Sequence, residues 1–379
     1  MRLLFVSDLH YLPQHRGGTQ SLIHELALEL RALGHEPAVL APLHWGGAIG
    51  LRNRGLMKLS GRPTIRDDFL GYPVYRRWRV SGRLDEPIAL IRPDAAIVMP
   101  MAAVPVAREL VRLGVPTTVY FQDVESQQLC GDPATLEQVS FASNSHFTAR
   151  TIHTRFGLES VVIPPLIRSE LYRVERPAAR RVTKHVTMIN PHPLKGGDIA
   201  LAIAEACPDI PFQLVGCWVL PDHFQADLER RVRRLANVTL QRPTSDMKTV
   251  YAQTRILLAP SRWNEAWGRV ASEAQINGIP VVASRRGGLV ESVGPGGMLL
   301  DPDGPIDPWI EAVRALWSDE ARYEALSAAA LAHAARQDIA PRRIVDQLLC
   351  VVDESIALRR GGSRVGRQKT ASALQLRAI

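Results

Sequence analysis

A chain of 379 residues is longer than one hydrophobic core usually serves, so its length predicts two domains. Hydrophobic residues make up 46% of the chain and charged residues 22%, which is ordinary for a globular protein and argues against a disordered or fibrous chain. The four cysteines show no C-x-x-C spacing, which argues against a disulfide framework or a zinc cluster and favours a reducing, cytoplasmic location.

The apolar stretches of the sequence are too short to predict a membrane-embedded chain. The run from Met1 to Asp8 contains only a short apolar stretch before its first acid, which is too short for a signal peptide. The longest apolar stretch, from Ala95 to Ala107, contains two prolines and falls well below the roughly 20 residues that span a bilayer. We therefore expect peripheral contact with a membrane at most.

The formal charge of +8 is unevenly distributed along the chain. The tail 359–379 has no acid and carries six basic residues, so the rest of the chain has a charge of only +2. The composition of this tail, with its Gly-Gly-Ser run, predicts disorder. Because the tail lacks the aromatic residues that stack on bases, we do not expect a nucleic-acid partner.

The N-terminal half alternates short apolar strands with amphipathic helices. The predicted strands are 3–7, 37–41, 95–99 and 117–121, and the predicted helices are 17–33 and 104–113. The first of these helices opens at Gly17 and Gly18, and glycines at a helix start permit close approach of the backbone to a ligand. Alternating strands and helices indicate a parallel, doubly wound sheet.

A strongly basic segment runs from Leu51 to Arg83 and contains only two acids, Asp67 and Asp68. Its nine basic residues are Arg52, Arg54, Lys58, Arg62, Arg66, Arg76, Arg77, Arg79 and Arg83. Such a run usually forms a solvated face. Its concentration in what we predict to be one loop region also suits an anionic acceptor or a membrane surface, and both interpretations stay open.

A second array of strands and helices follows a predicted boundary between Val161 and Thr183. We predict an N-terminal domain over 1–170 and a C-terminal domain over 183–340, joined by a linker rich in Arg, Glu, Pro and Ala. Lys195 comes after the predicted strand 186–190 and before two glycines. This arrangement suits a phosphate, because the amine supplies a point charge and the glycines let the backbone approach. The spacing of a Walker P-loop is missing.

The remainder of the C-terminal half repeats the same pattern. Strands are predicted at 212–215, 238–240 and 255–259, and helices at 225–235, 247–253, 309–317, 321–336 and 342–358. Asp301 and Asp303 form a D-x-D pattern, which in other settings holds a metal-bound diphosphate. Here the pair lies among Pro and Gly residues, so we interpret it as a turn and predict no metal site.

The most informative stretch runs from Ala259 to Gly288. A polar loop with Glu265 and Gly268 follows an apolar strand and opens a predicted helix, so unpaired N–H groups there suit an anion. Glu273 comes eight residues after Glu265, which we interpret as two turns along the same helix face. Two acids near a phosphate are best explained as acceptors for hydroxyl groups.

Glu265-x7-Glu273, followed by Gly278-Ile-Pro-Val-Val-Ala-Ser284 and Gly287-Gly288, resembles the donor-binding signature of retaining GT-B glycosyltransferases of the family 4 type, the glycosyl transferases group 1. In that family the first Glu lies beside the donor sugar, the second accepts hydrogen bonds from the ribose, and the intervening amides hold the diphosphate. The resemblance implies these roles for Glu265, for Glu273 and for the amides of Ala266, Trp267 and Gly268.

Other roles are implied by the same resemblance. A Gly-Gly loop in the place of Gly17 and Gly18 closes over the diphosphate in the family, and a Lys in the place of Lys195 grips it. Where the family has an Arg before this Lys the chain has Asn190, and we expect Arg262 to replace the missing charge. Where the family has a catalytic His the chain has Gln122, and we take the next residue, Asp123, as the catalytic contact. The predicted catalytic set is thus Glu265, Lys195 and Asp123.

The resemblance implies an α/β GT-B fold, in which two Rossmann-like domains with doubly wound parallel sheets face a cleft and the helix at about 342–358 packs back on the first domain. It implies a retaining, metal-independent hexosyltransferase without a cofactor. This enzyme would move a sugar from a nucleotide-diphosphate sugar to a hydroxyl of a glycan, a lipid-linked acceptor or a secondary metabolite. Three alternatives stay open. A sugar-nucleotide epimerase or a phosphorylase would use the same architecture, and the departures at Gln122 and Asn190 leave room for a non-catalytic sugar-nucleotide-binding protein.

Overall fold

The computed structural model describes residues 1–175, 185–218 and 220–361. The chain divides into two compact units. Unit 1 comprises Met1–Leu166 together with the segment that begins at Pro341, and unit 2 comprises Ile167–Ala340. Most of the predicted linker, 176–184, and most of the predicted disordered tail, 362–379, lie outside the described residues.

Unit 1 alternates strands and helices and then receives the last helix of the chain. Its strands are β1 Arg2–Val6, β2 Glu36–Pro42, β3 Ile65–Asp67, β4 Val74–Arg77, β5 Ala95–Val98, β6 Thr117–Phe121, β7 Val139–Ser143 and β8 Val161–Val162. Its helices are α1 Gly18–Ala32, α2 Gly47–Ser60, α3 Asp85–Ile91, α4 Ala103–Arg112, α5 His146–Phe156 and α14 Pro341–Arg359. Within the described residues these strands form one sheet in the order β3-β4-β2-β1-β5-β6-β7-β8.

The strands of unit 1 are buried apolar runs, as expected where helices cover a parallel sheet. In β1, Leu3, Leu4, Phe5 and Val6 are all fully buried. The pairing is parallel throughout except between β3 and β4, which run antiparallel. Helix α14 packs against β5, β6 and β7, and the Ser140 hydroxyl on β7 donates to the Val351 carbonyl at 2.9 Å.

The basic segment 51–83 was predicted as one loop region, and this prediction is wrong. The structure places β3, β4 and most of α2 in it. Arg76 on β4 is fully buried, and its Nε atom lies 2.6 Å from the Asp67 carboxylate on β3. Because a buried charge without its partner is strongly unfavourable, this pair holds the edge strand β3 in place. Arg76 therefore belongs to the core of unit 1 and not to a solvated face.

Unit 2 repeats the α/β pattern. Its strands are β9 His185–Ile189, β10 Phe212–Val215, β11 Val238–Gln241, β12 Thr254–Ala259, β13 Val281–Ser284 and β14 Gly297–Leu300. Its helices are α6 Ser169–Tyr172, α7 Gly197–Ala206, α8 Asp222–Val232, α9 Met247–Gln253, α10 Arg269–Gln275, α11 Leu289–Val293, α12 Asp307–Ser318 and α13 Glu320–Ala334. Among the described residues the strands form a parallel sheet in the order β11-β10-β9-β12-β13-β14. The predicted fold class, α/β with two doubly wound parallel sheets, is confirmed.

Each sheet reverses its winding direction at one place. In unit 1 the chain goes from β1 to β2 on one side and later to β5 on the other. In unit 2 it goes from β9 to β10 on one side and later to β12 on the other. Ligands of open α/β sheets bind outside the carboxyl ends of the strands at such a switch point. In unit 2 the loops at that position are 190–196, after β9, and 260–268, after β12.

In the part of the chain that the structure describes, every helix is too short or too polar to cross a bilayer.

Candidate functional site

The switch point of unit 2 brings together a lysine and a glutamate from two separate loops. Lys195 follows β9 and Glu265 follows β12, and these strands are neighbours in the sheet. The Lys195 Nζ atom lies 2.6 Å from Glu265 Oε1. The side chains are 15% and 18% exposed, so the pair is shielded from bulk water yet open to a ligand. A partly desolvated ammonium group of this kind attracts an anion more strongly than one on the open surface.

The two loops touch through their main chains, and this contact fixes the lysine. The N–H groups of Arg262 and Trp263 both donate to the Leu194 carbonyl, at 3.0 and 2.9 Å. Gly196 has φ +79°, and a Cβ atom there would lie 2.0 Å from the Pro260 carbonyl oxygen. Only glycine fits such a left-handed position against a neighbouring main chain. Backbone packing thus explains the glycine that directly follows Lys195, and charge explains the lysine.

The loop 265–268 packs on the Gly287-Gly288 turn. The Gly288 N–H donates to the Glu265 carbonyl at 2.6 Å, and a Cβ atom on Gly288 would lie 2.1 Å from the Ala266 carbonyl oxygen. The N–H groups of Ala266, Trp267 and Gly268 donate to no residue that the structure describes. The turn therefore holds the loop in a shape in which three main-chain donors next to Glu265 have no partner among the described residues.

Glu265 and Glu273 do not share a helix face, so this prediction is wrong. Helix α10 begins only at Arg269, and Gly268, with φ +88°, is its N-cap. Glu265 lies in the preceding loop, whereas Glu273 is buried on the helix. The Glu273 carboxylate accepts a hydrogen bond from the Tyr251 hydroxyl at 2.8 Å and lies 3.4 Å from Arg269 Nε. Burial, followed by the charge of Glu273, raises the pKa of Tyr251 well above its usual value, so this hydroxyl remains a donor.

Trp218 is a site residue that the sequence interpretation missed. It follows the carboxyl end of β10, and its ring lies 4.8 Å from Lys195 Nζ, within the range of a cation–π contact. The His192 ring meets the same indole edge-on at 5.3 Å. Burial, followed by the charge of Lys195, lowers the pKa of His192. The signal in the sequence that could have identified Trp218 is an aromatic residue three positions after β10, a strand next to the switch point.

Asn190 occupies the position where the family resemblance leads us to expect an arginine. It has φ +64°, a left-handed conformation that Asn tolerates better than most residues. Its Oδ1 atom accepts a hydrogen bond from the Trp218 N–H at 3.4 Å. Asn190 therefore shapes the backbone next to Trp218 and adds no positive charge to the site.

Arg262, the predicted replacement for the missing charge, is held by acidic residues. Its Nη2 atom lies 2.8 Å from Asp198 Oδ2, and its Nη1 atom donates to the Pro302 carbonyl at 2.8 Å and approaches Asp303 at 3.4 Å. The hydrogen bond to Asp198 raises the pKa of Arg262. Asp303 also pairs with Arg286, and its N–H donates to the Asp301 carboxylate at 3.0 Å. The D-x-D segment thus forms a turn that binds arginines.

The predicted site residues of unit 1 lie after two of its strands. Gly17 is the N-cap of α1 with an extended backbone, and Gly18 is the first residue of that helix. Asp123 lies after β6, and its Oδ1 atom accepts hydrogen bonds from the N–H groups of Val124 and Glu125, at 2.7 and 3.1 Å. Gln122 Nε2 lies 3.3 Å from the Met99 sulfur. Asp123 thus stabilises the turn that it begins.

Comparison with known families supports the interpretation of unit 2. Residues 203–333 match the family model described as glycosyl transferases group 1. The sequence resemblance to this group is confirmed. The group 1 region lies entirely within unit 2 and includes Glu265, Glu273 and Trp218, whereas Lys195 lies just before it.

Curated relatives match only part of the chain. The D-inositol 3-phosphate glycosyltransferase of Corynebacterium kroppenstedtii is 42% identical over 97 residues, which are 25% of this chain and 21% of that protein. The protein of the same name from Segniliparus rotundus is 32% identical over 197 residues, 46% of this chain and 43% of that protein. The chain thus spans less than half the length of these relatives.

Solved structures extend the likeness to nearly the whole chain. A glycosyltransferase from Rickettsia africae aligns with a TM-score of 0.71 and 14% identity over 93% of this chain and 98% of that one. Anabaena Alr3699/HepE in complex with UDP-glucose aligns with a TM-score of 0.71 and 18% identity over 93% and 99%. At such identities the likeness shows the fold alone, and the chain has the GT-B fold.

Proposed function

We propose that the protein is a retaining glycosyltransferase that moves a sugar from a nucleotide-diphosphate sugar to a hydroxyl group of an acceptor. The observation that carries this proposal is the Lys195–Glu265 pair, at 2.6 Å, beside the three main-chain donors of 266–268. This arrangement supplies positive charge and N–H groups for a diphosphate and a carboxylate for sugar hydroxyls.

The chemistry that fits this site is electrostatic stabilisation of a leaving group. In the proposed reaction the bond between the anomeric carbon and the diphosphate oxygen breaks, and the acceptor oxygen bonds to that carbon from the same face. The departing phosphate takes the proton of the acceptor hydroxyl. Lys195 and the amides of Ala266, Trp267 and Gly268 stabilise the charge that develops on the diphosphate. Lys195 would exchange its bond to Glu265 for one to the phosphate, which releases the carboxylate for the sugar.

The other predicted residues have supporting or secondary roles in the proposal. Glu273 would accept hydrogen bonds from the ribose, with Tyr251 and Arg269 holding its carboxylate in place. Arg262 would act through Asp198 and the 301–303 turn as a positioning residue, because its guanidinium group is already bound there. Gly17, Gly18 and Asp123 would contribute from unit 1, in the roles that the family resemblance implies.

The basic segment of unit 1 bears on the identity of the acceptor. The relatives are named for D-inositol 3-phosphate, but the group 1 region lies in unit 2, which would bind the donor. The net positive charge of 51–83 in unit 1 favours an acceptor with an anionic group. D-inositol 3-phosphate is therefore the first acceptor to assay, followed by lipid-linked and glycan acceptors.

A thermal-shift panel of UDP-, GDP-, ADP- and dTDP-sugars, with and without EDTA, tests donor binding. We expect one nucleotide to raise the Tm by about 5 °C or more at a hundredfold excess over Kd, because a ligand that binds only the folded state stabilises it. The shift should persist in EDTA, since Lys195 and amides supply the positive charge. The absence of a shift with every nucleotide would contradict the donor site. Conversion of the selected donor into an isomeric nucleotide sugar without an acceptor would instead favour an epimerase, and binding with neither transfer nor slow hydrolysis would favour a binding protein.

Replacement of Glu273 with alanine is expected to weaken donor binding about 10–100-fold, since hydrogen bonds to a charged group contribute about 1.5–3 kcal/mol. Isothermal titration with the nucleotide selected by the panel measures this change. The matched control is Tyr251→Phe, which removes the same Tyr251–Glu273 hydrogen bond but keeps the carboxylate. This control should lower the Tm and preserve most of the donor affinity. Equal losses of affinity in the two variants would show that Glu273 is structural only.

A further inference from the structure

Unit 1 carries a surface that combines exposed apolar side chains with basic ones. We define this basic–apolar surface by eight residues: Leu51, Leu59, Phe69, Leu90, Arg52, Arg54, Lys58 and Arg62. Large apolar side chains exposed in a group mark an interaction site more often than single ones do. Of the four leucine and phenylalanine side chains, Leu51 and Leu59 are the most exposed, at 66% and 86%.

Helix α2 orients its leucines away from the core of unit 1. At 3.6 residues per turn, successive side chains are about 100° apart, so Leu51, Gly55 and Leu59 share one face. The buried residues of this helix, Gly50 and Asn53, lie on the opposite side. The stripe of α2 that carries Leu51 and Leu59 thus points to solvent, whereas the apolar stripe of an ordinary surface helix points to the core.

Basic residues flank this stripe on both sides. The same helical geometry places Arg54 and Lys58 along one border of the stripe and Arg52 along the other. None of them forms an ion pair with any residue in the described part of the chain. Two exposed leucines bordered by basic residues suit contact with an anionic membrane, where apolar side chains enter the headgroup boundary and basic ones meet lipid phosphates.

The apolar area continues beyond the helix. Leu56, Leu59 and Leu90 line a groove of about 490 Å³ together with Ile65 and Tyr75, and Arg62 and Arg66 lie at the same groove. On the other side, the Arg52 guanidinium group lies 5.3 Å from the centre of the exposed Phe69 ring. The surface therefore offers several apolar side chains within one basic region.

The acidic residues nearby are already bound to other groups. Asp68 pairs with Arg66 at 2.9 Å, Asp67 pairs with the buried Arg76, and Glu86 accepts a hydrogen bond from the Thr64 hydroxyl at 2.5 Å. Asp67 and Asp68 are therefore neutralised by other arginines, whereas Glu86 keeps its charge, and Arg52, Arg54, Lys58 and Arg62 form no ion pair with any of the described residues. Their field favours an anionic partner, and the exposed leucines favour one with an apolar interior.

We propose that the basic–apolar surface docks unit 1 on a bilayer that contains anionic lipids. Leu51, Leu59, Phe69 and Leu90 enter the boundary between headgroups and acyl chains, and the four basic residues contact lipid phosphates. A bilayer satisfies both requirements of the surface at once, since its headgroups are anionic and its interior is apolar. This docking goes beyond the proposed transfer reaction. None of these residues belongs to the donor site, although their charge also bears on the choice of acceptor.

Co-sedimentation of the full chain with vesicles tests the docking. Wild type should bind vesicles of phosphatidylcholine mixed with phosphatidylglycerol, bind pure phosphatidylcholine far less, and dissociate as salt rises. Substituting Arg54→Gln, Lys58→Gln and Arg62→Gln together should weaken binding about 100-fold, since each basic residue near an anionic surface strengthens binding about fivefold. Substituting Leu51→Ser and Leu59→Ser should weaken it at least about tenfold without a change of charge.

The matched control removes three charges from unit 2, with Arg230→Gln, Arg233→Gln and Arg234→Gln. This control should bind as wild type does, and it shares the basic tail with every other variant. The proposal is overturned if wild type does not bind the mixed vesicles, or if the control and the α2 charge variant lose affinity equally. It is also overturned if the two serine substitutions have no effect on vesicle binding. A third contrary result is a wild type that binds no vesicles but forms a dimer, with the dimer lost in the serine variant. The last result would assign the surface to a second copy of the chain.

Discussion

Substitution of Lys195 with alanine is expected to lower kcat about 100–1,000-fold, the typical cost of removing one preorganised donor to a developing charge. Lys195 Nζ is the cation of the Lys195–Glu265 pair, and no main-chain donor can replace its full charge. The measurement is the rate of sugar transfer or, before an acceptor is known, the slow hydrolysis of the donor that the thermal-shift panel selects.

Two control variants separate the loss of a catalytic charge from a general defect. Lys195→Arg keeps the charge on a longer, planar group and should recover part of the rate. Lys248→Ala removes an exposed lysine from α9 and should leave the rate unchanged. Wild-type kcat in Lys195→Ala would disprove the assignment of Lys195 to the diphosphate, even if donor binding in the panel were strong.

Gly196→Ala is expected to destabilise unit 2 by about 3–6 kcal/mol and to abolish donor binding. Alanine at φ +79° is strained, and its Cβ atom would lie 2.0 Å from the Pro260 carbonyl oxygen, so one of the two loops must move. Because Lys195 is the preceding residue, its ammonium group would move with the loop. Denaturant unfolding followed by tryptophan fluorescence measures the stability, and titration with the selected nucleotide measures the binding.

Gly157→Ala is the matched control for this prediction. Gly157 has a similar φ of +66° but no atom within 4 Å of the position of a Cβ, so only the backbone strain applies. We expect a cost of about 1–2 kcal/mol and unchanged donor affinity. If Gly196→Ala costs no more than this control and binds the nucleotide normally, the contact between the two loops does not position Lys195.

The sequence predicted the elements whose signals are local. Strand 212–215 and helix 247–253 have the same bounds in the structure, because the first is a buried apolar run and the second is capped by Asp246, whose side chain accepts from the Thr249 N–H. Helix α2 was missed because it contains three glycines and buries only Gly50 and Asn53, so it has no apolar face against the core of unit 1. Contacts within unit 1, and not local propensity, account for its presence.

The candidate site was predictable in its residues but not in its contacts. Glycines and a lysine after a strand indicate a phosphate loop, yet the distance between Lys195 and Glu265 depends on β9 and β12 being neighbours, which no local pattern reveals. The eight-residue spacing from Glu265 to Glu273 suited a continuous helix, but the left-handed Gly268 delays its start. The ion pair between Arg262 and Asp303 depends on the turn at 301–303, which is distant in sequence.

Helix α14 is the last helix to be synthesised, yet it completes unit 1, whose strands are made first. Its residues Ile344, Leu348 and Val352 are fully buried in unit 1, although the strands that they cover leave the ribosome nearly 200 residues earlier. Unit 2 is continuous in sequence, so it can complete its own core before α14 has been synthesised. Until then, the apolar face of unit 1 that α14 covers remains exposed. During translation that face is exposed for the whole time that unit 2 takes to emerge, so the nascent chain is most vulnerable to aggregation before the final helix is made.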